Sequence, residues 1–227
     1  MQEKLEQDFI QAALLCKDYT QVSVERMYST WQAVRYVTSA NIPGALVECG
    51  VWRGGNLLLM ATALLQLNIV DREIWGYDTF EGMSPPTEFD KDIYNRPAAE
   101  LLQGLDKIPD VANVWNVAPE EGVRKVIGTV PYPSHQFRLV RGRVEETVPK
   151  IIPRRIAVLR LDTDWYESTL HELIYLFPLL EKKGGIIIDD YGHWEGARKA
   201  VDEYFSGDGP RILLNRIDYT GRMGVKI

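Results

Sequence analysis

Four aspartates fall in two close pairs, Asp162 with Asp164 and Asp189 with Asp190, and each pair directly follows an apolar run, Ile156-Ala157-Val158-Leu159-Arg160-Leu161 and Gly185-Ile186-Ile187-Ile188. If those runs are parallel strands, their ends lie along one sheet edge and the acids can converge there. Gathered carboxylates repel one another and raise one another's pKa unless a cation sits among them. A hard divalent ion with oxygen ligands, Mg²⁺ first, resolves that conflict. Two independent solvated caps also fit these residues.

A second chemical stretch runs from Ala45 to Asn56, ALVECGVWRGGN. Ala45-Leu46-Val47 reads as a buried strand closed by Glu48, Gly50, Gly54 and Gly55 crowd a turn, and Leu57-Leu58-Leu59-Met60 opens a helix. Such a turn lets backbone approach a nucleotide-like ligand, and the helix start offers unpaired N–H groups. No Lys-Ser or Lys-Thr follows the glycines and their spacing is not G-x-G-x-x-G, so neither phosphate-binding motif applies. A carboxylate at the strand tip, Glu48, repels phosphates but suits the amino and sulfonium charges of S-adenosylmethionine. A tight turn that binds nothing fits the same residues.

The elements that must position these groups alternate. Residues 2–40 form a helical leader broken near Lys17 to Thr20, with Met27, Tyr28 and Trp31 read as core ahead of a lid role. Glu73 to Asp78 is a second strand, and Asp78 at its tip is placed to hold ribose hydroxyls or to act as a loop cap. Residues 84–133, rich in proline, are longer than an ordinary connection and form a lid-like insertion with helices near Ala98 to Leu105 and Glu120 to Ile127. Phe137 to Val140 is the third strand, and a short helix from Val144 is limited by Pro149. After the fourth strand come a helix from Ser168 to Leu180, a turn at Gly184-Gly185 and the fifth strand. A helix from Gly196 to Phe205 and an antiparallel hairpin from Arg211 to Ile217 and Gly224 to Ile227 close the chain. The pattern predicts an α/β fold, a doubly wound, mostly parallel, Rossmann-like sheet in a single domain over residues 1–227.

With 227 residues, 45% hydrophobic and 26% charged, the composition is that of an ordinary globular protein. A net charge of −6 gives no electrostatic reason to expect nucleic acid. Cys16 and Cys49 show no metal-ligand spacing and read as free thiols. The charged N-terminus and the lack of a long apolar run point to a cytoplasmic protein without a membrane partner. The leader also offers a surface for contact between copies of the chain.

Taken together, VECGVWRGGN, YDTFEGM, GRVEETVP, LRLDTDWYEST and GGIIIDDYGHWEGARKAVDEYF resemble the macrocin O-methyltransferase (TylF-type) family of class I S-adenosylmethionine-dependent methyltransferases. The resemblance spans about Thr20 to Phe205. It implies that Glu48 and Gly50 contact the methionine part of the cofactor, Asp78 the ribose, and Gly142, Arg143 and Val144 the neighbourhood of the adenine. Gly54, Asn56, Thr79 and Asp162 are expected in the same cofactor site. Asp162, Asp189 and Asp190 match the family's metal triad, which in related enzymes holds Mg²⁺ against two adjacent substrate oxygens. Characterised members methylate sugar hydroxyls of natural products.

A base must take the hydroxyl proton as the oxygen attacks the methyl group. Asp162 and Asp164 are the candidates, with Asp164 also readable as a cap of the following helix. His193 follows the acidic pair and is a third candidate or a structural residue. Trp165, Tyr166 and Trp194 offer surfaces for a sugar ring or support for the sheet edge. The expected partner is a small molecule bearing adjacent hydroxyls. A catechol or phenol, or a non-catalytic cofactor-binding role, stays open at this stage. The tail after Asp218 is expected to add little to the substrate pocket.

Overall fold

Alternation along the short strands decides which face each residue serves. The computed structural model describes residues 6–103, 105–109, 115–207 and 209–227. Five parallel strands, β1 (Ala45–Cys49), β2 (Ile74–Asp78), β3 (Phe137–Arg141), β4 (Ile156–Leu161) and β5 (Leu180–Ile188), stand in the order β3-β2-β1-β4-β5. An antiparallel hairpin, β6 (Asn215–Arg216) and β7 (Arg222–Val225), extends the sheet beyond β5. This is the doubly wound sheet read from the sequence. Its order reverses between β1 and β4, the place where such sheets open a ligand crevice.

Leu46, Val158 and Ile187 turn to one face, and Val47, Leu159 and Ile188 to the other. The first face is covered by α1 (Gln7–Cys16), α2 (Val24–Ser39), α3 (Gly55–Gln66) and α5 (Glu120–Ile127). The opposite face carries α6 (Val144–Thr147), α7 (Tyr166–Leu176) and α8 (Glu195–Tyr204). The leader breaks where expected, into two helices around a short 3₁₀ turn at Lys17–Tyr19, and Met27 and Trp31 are core. Ser23 caps α2 by accepting the Arg26 N–H at 3.2 Å. Both cysteines are buried and free. Among the described residues no helix is long and apolar enough to cross a membrane.

One expectation is corrected here. Gly184 and Gly185 do not turn the chain but lie within β5, where the register against β4 jumps from Ile156↔Leu180 to Val158↔Gly185. The extra residues form an irregularity in which Lys183 takes φ +67°. The first part of the insertion is fastened to the sheet edge. Asp90, fully buried, accepts the Tyr166 N–H at 2.7 Å and so satisfies the start of α7, and its other oxygen takes the Thr87 N–H at 2.6 Å. Trp165 donates to the Ser84 carbonyl at 2.9 Å and packs edge-on against Trp194 at 4.9 Å, with Leu102 and Ala98 of α4 (Ala98–Leu102) in the same cluster. Those tryptophans are core that fastens the insertion to the sheet edge. The helix at Glu120–Ile127 matches its expected span. The insertion's Gly104 and residues 110–114 lie outside the described residues.

Candidate active site

The end of β1 and the end of β4 meet at Gly50. Its φ is +83°, and a Cβ there would fall 1.8 Å from the Asp162 carbonyl oxygen, so glycine is the residue that lets these two strand ends touch. The turn continues through Trp52 at φ +45° and Gly54 at φ +86°, the residue before α3. Asp78, at the tip of β2, organises this turn. One of its oxygens accepts the Val51 and Trp52 N–H groups at 2.7 and 3.0 Å, and the other accepts Phe80 N–H at 2.7 Å. Burial pushes its carboxyl above the usual range, while these three bonds pull the other way.

A cavity of about 260 Å³ opens over these strand ends. Gly50, Val51, Trp52, Asn56, Asp78 and Thr79 line one side, and Gly142, Arg143 and Val144 line the end below β3. Asp162, Asp164, Asp189, Asp190 and His193 line the opposite end. The sequence-selected residues therefore surround one space, with two exceptions. Gly54 packs against Val123 of α5 rather than lining the cavity. Glu48, only 1% exposed, does not line it either.

Glu48 is held away from the cavity by a residue that the sequence reading passed over. Arg160, fully buried on β4, donates to Glu48 at 2.8 Å, to Asp162 at 2.5 Å and to Asp189. Glu48 and Arg160 are register partners on adjacent parallel strands, and the two-residue period brings Asp162 and Asp189 to the same side. One guanidinium cannot neutralise three carboxylates. Burial pushes Glu48 up to about 8 against the pull of Arg160. An arginine inside an otherwise apolar strand was the available signal.

Asp189 has a second cation. Arg26, reaching from α2, pairs with Asp189 and with Asp218 at 2.9 Å. Burial raises the Asp189 carboxyl, and Arg160 and Arg26 oppose that rise. The oxygens that converge within 4.8 Å of one another belong to Asp162, Asp164 and Asp190. Asp162 and Asp190 of the expected triad belong to this group together with Asp164, and Asp189 stands beside it, paired with Arg160 and Arg26. Asp164 stands on the strand-to-helix loop at φ +67°, with a carboxylate oxygen within 4.8 Å of one from Asp190. Burial, with Asp162 and Asp189 adding repulsion, pushes Asp164 up to about 7. Burial first, then the charges of Asp164, Asp162 and Asp189, holds Asp190 well above the carboxylate range, and its Oδ2 is buried without a partner. Among the described residues no lysine or arginine pairs with Asp164 or Asp190. This cluster has the donor chemistry and the unrelieved negative charge that fit a hard divalent cation.

The C-terminal tail contributes more than its length suggests. Tyr219 and Thr220 line the cavity, and the turn carrying them rests on the loop after Asp190, with the Gly192 N–H donating to the Thr220 carbonyl at 2.9 Å. Tyr219 Oη lies 3.3 Å from Nδ1 of His193. His171 lies apart from the cavity lining, with Nε2 at 2.8 Å from the Val148 carbonyl.

This geometry coincides with a family match. Residues 14–224 fit the profile of Macrocin-O-methyltransferase (TylF). The chain belongs to that family. It is 35% identical over 186 residues to the demethyldecarbamoylnovobiocin O-methyltransferase of Streptomyces niveus, covering 82% of this chain and 67% of that one. It is 34% identical to an 8-demethyl-8-(2,3-dimethoxy-alpha-L-rhamnosyl)-tetracenomycin-C 4'-O-methyltransferase of Streptomyces olivaceus, over 89% of this chain and 74% of that one. The solved O-methyltransferase NovP superposes with a TM-score of 0.78 at 31% identity, over 92% of this chain and 82% of its own. Family membership makes the protein an S-adenosylmethionine-dependent O-methyltransferase.

Proposed function

We propose that the protein methylates a sugar hydroxyl of a glycosylated natural product, using S-adenosylmethionine and a divalent cation, Mg²⁺ first. The observation that carries this reading is the convergence of Asp162, Asp164 and Asp190 in a cavity that the glycine turn also lines. The relative named for a rhamnosyl tetracenomycin supports a sugar as the acceptor.

S-adenosylmethionine supplies a methyl group on a positively charged sulfur. Gly50 to Trp52 and Asn56 would border its methionine part, and Arg143 and Val144 its adenine. Asp78 holds the turn through three N–H bonds and, as a carboxylate with about four acceptor sites, keeps one for a ribose hydroxyl. Glu48 acts one step behind, by helping to fix Arg160 and through it Asp162.

Asp162, Asp164 and Asp190 would hold the cation, which when bound supplies positive charge that orients a neighbouring hydroxyl and lowers its pKa. Asp164 is assigned as the base that takes the hydroxyl proton. Arg160 occupies Oδ2 of Asp162, whereas Asp164 lines the cavity without a guanidinium partner and, with one oxygen on the cation, keeps the other free to take the proton. Holding donor and acceptor in line within this cavity would add to the acceleration.

The test is methyl transfer by the purified protein to a panel of diol-bearing glycosides and catechols, with and without Mg²⁺. Transfer to glycosides that depends on the cation supports the reading. Transfer confined to catechols, or equal turnover after exhaustive chelation, contradicts it.

A further inference from the structure

The hairpin turn between β6 and β7 is fixed against the acidic edge from several directions. Asp218 accepts the Thr220 and Gly221 N–H groups at 3.0 and 2.6 Å, together with the Ser23 hydroxyl at 2.7 Å and Arg26 Nε at 2.9 Å. Thr220 Oγ1 donates to the Asp189 carbonyl at 2.8 Å. A Cβ at Gly192 would fall 2.0 Å from the Tyr219 carbonyl oxygen, so the turn lies directly on the loop that carries Asp190 and His193. Yet Tyr219 itself, on this immobilised turn, is 54% exposed and lines the cavity. A rigidly mounted aromatic ring left half open beside polar groups is a poor solution for packing and a good one for binding a ring-shaped ligand.

We propose that Tyr219 is an acceptor-positioning residue: its hydroxyl donates to Nδ1 of His193, leaving Nε2 as the donating nitrogen of an imidazole that lines the cavity, while the tyrosine ring offers an apolar face to the acceptor sugar. The two rings stand nearly perpendicular, with centroids 6.0 Å apart and an interplanar angle of 83°. Tyr219 Oη lies 3.3 Å from Nδ1, and an imidazole with one protonated nitrogen has a single lone pair with which to accept. Burial raises the Tyr219 hydroxyl, which therefore keeps the proton it donates. His193 on this account binds an acceptor oxygen as a donor and is not the base. The acceptor part of the proposal rests on the sugar reading above; the Tyr219–His193 pair does not.

Long-range ¹⁵N–¹H correlation of the imidazoles tests the pair without an acceptor, since the chain has three histidines. His171, with Nε2 at 2.8 Å from a carbonyl, provides an internal standard for the Nε2–H form. Wild type is expected to show His193 as the pure Nε2–H tautomer, and Tyr219→Phe a mixture of tautomers. The same variant is expected to raise KM for an accepted rhamnosyl glycoside by about five- to tenfold, and Tyr219→Leu by more, with the Kd of S-adenosylhomocysteine unchanged in both. An Nδ1–H form in wild type, or a Tyr219→Phe protein with unaltered tautomer and KM, overturns the proposal. A wild-type protein that shows the expected tautomer but methylates no glycoside overturns the sugar reading and the acceptor part together, while the pair stands.

Discussion

Arg160 on β4 and Asp162 just past the strand's end lie two residues apart, with Nη1 2.5 Å from Oδ2, and this pair joins the buried acid hub to the cavity. Arg160 is fully buried and also serves Glu48 and Asp189. Arg160→Met should therefore cost about 3–5 kcal/mol, because buried carboxylates lose their partner. Urea denaturation measures it, and adding Glu48→Gln to Arg160→Met should recover part of the loss. A single variant as stable as wild type would mean that the hub contributes nothing.

The two possible cation sets make different predictions. Asp164→Asn and Asp190→Asn should each weaken Mn²⁺ binding, read by calorimetry or electron paramagnetic resonance, by about tenfold or more. Asp189→Asn should leave Mn²⁺ affinity within about threefold of wild type if Arg26 and Arg160 keep that carboxylate. The reverse pattern would restore the triad expected from the sequence and require Arg26 to release Asp189.

Glu48 gives the protein a pH signature. Its folded pKa, up to about 8, is above the ordinary glutamate value, so the folded state holds a proton that the unfolded chain loses. Stability from this group is fully present below the unfolded value of about 4.3 and is lost as pH rises towards the folded value. Thermal melts of the metal-free protein should show Tm falling less steeply from mildly acidic to mildly alkaline pH in Glu48→Gln than in wild type. Parallel profiles would contradict the buried, protonated Glu48.

Gly50→Ala places a methyl group 1.8 Å from the Asp162 carbonyl oxygen at a backbone φ of +83°. It should destabilise the fold by about 1–3 kcal/mol and weaken S-adenosylhomocysteine binding by more than about tenfold, as calorimetry would read. Gly122→Ala in α5 is the contrasting change, since its Cβ would meet nothing within 4 Å. It should stabilise by about 0.4–1 kcal/mol. Equal losses in both would show that glycine at residue 50 has no special role.

Much of the fold was readable because strand and helix periods are local. The span Ile156–Leu161 and the helix Glu120–Ile127 appear as expected, and Gly50, Asp78, Asp162, Asp164 and Asp190 reach one cavity because parallel strand ends share an edge. Side-chain pairing is not local. Glu48 looks like a cofactor contact at the tip of its strand, but Arg160, 112 residues away in sequence, turns it inward. Asp189 is occupied by Arg26 of the leader, a partner no spacing rule could supply. Tyr219 and Thr220 lie in a short tail whose value depends on where the hairpin docks. The Gly184-Gly185 pair has the composition of a turn and instead lies within β5, next to a register shift against β4.

The most direct test of the central claim uses S-adenosylmethionine labelled in its methyl group, Mg²⁺ and a rhamnosyl glycoside, with product analysis by mass spectrometry and NMR. The expected result is label on a sugar oxygen, dependent on the divalent cation and lost in Asp164→Asn and Asp190→Asn, with S-adenosylhomocysteine affinity retained in both variants. Label on a phenolic oxygen of the aglycone, or undiminished transfer by those variants, would contradict it.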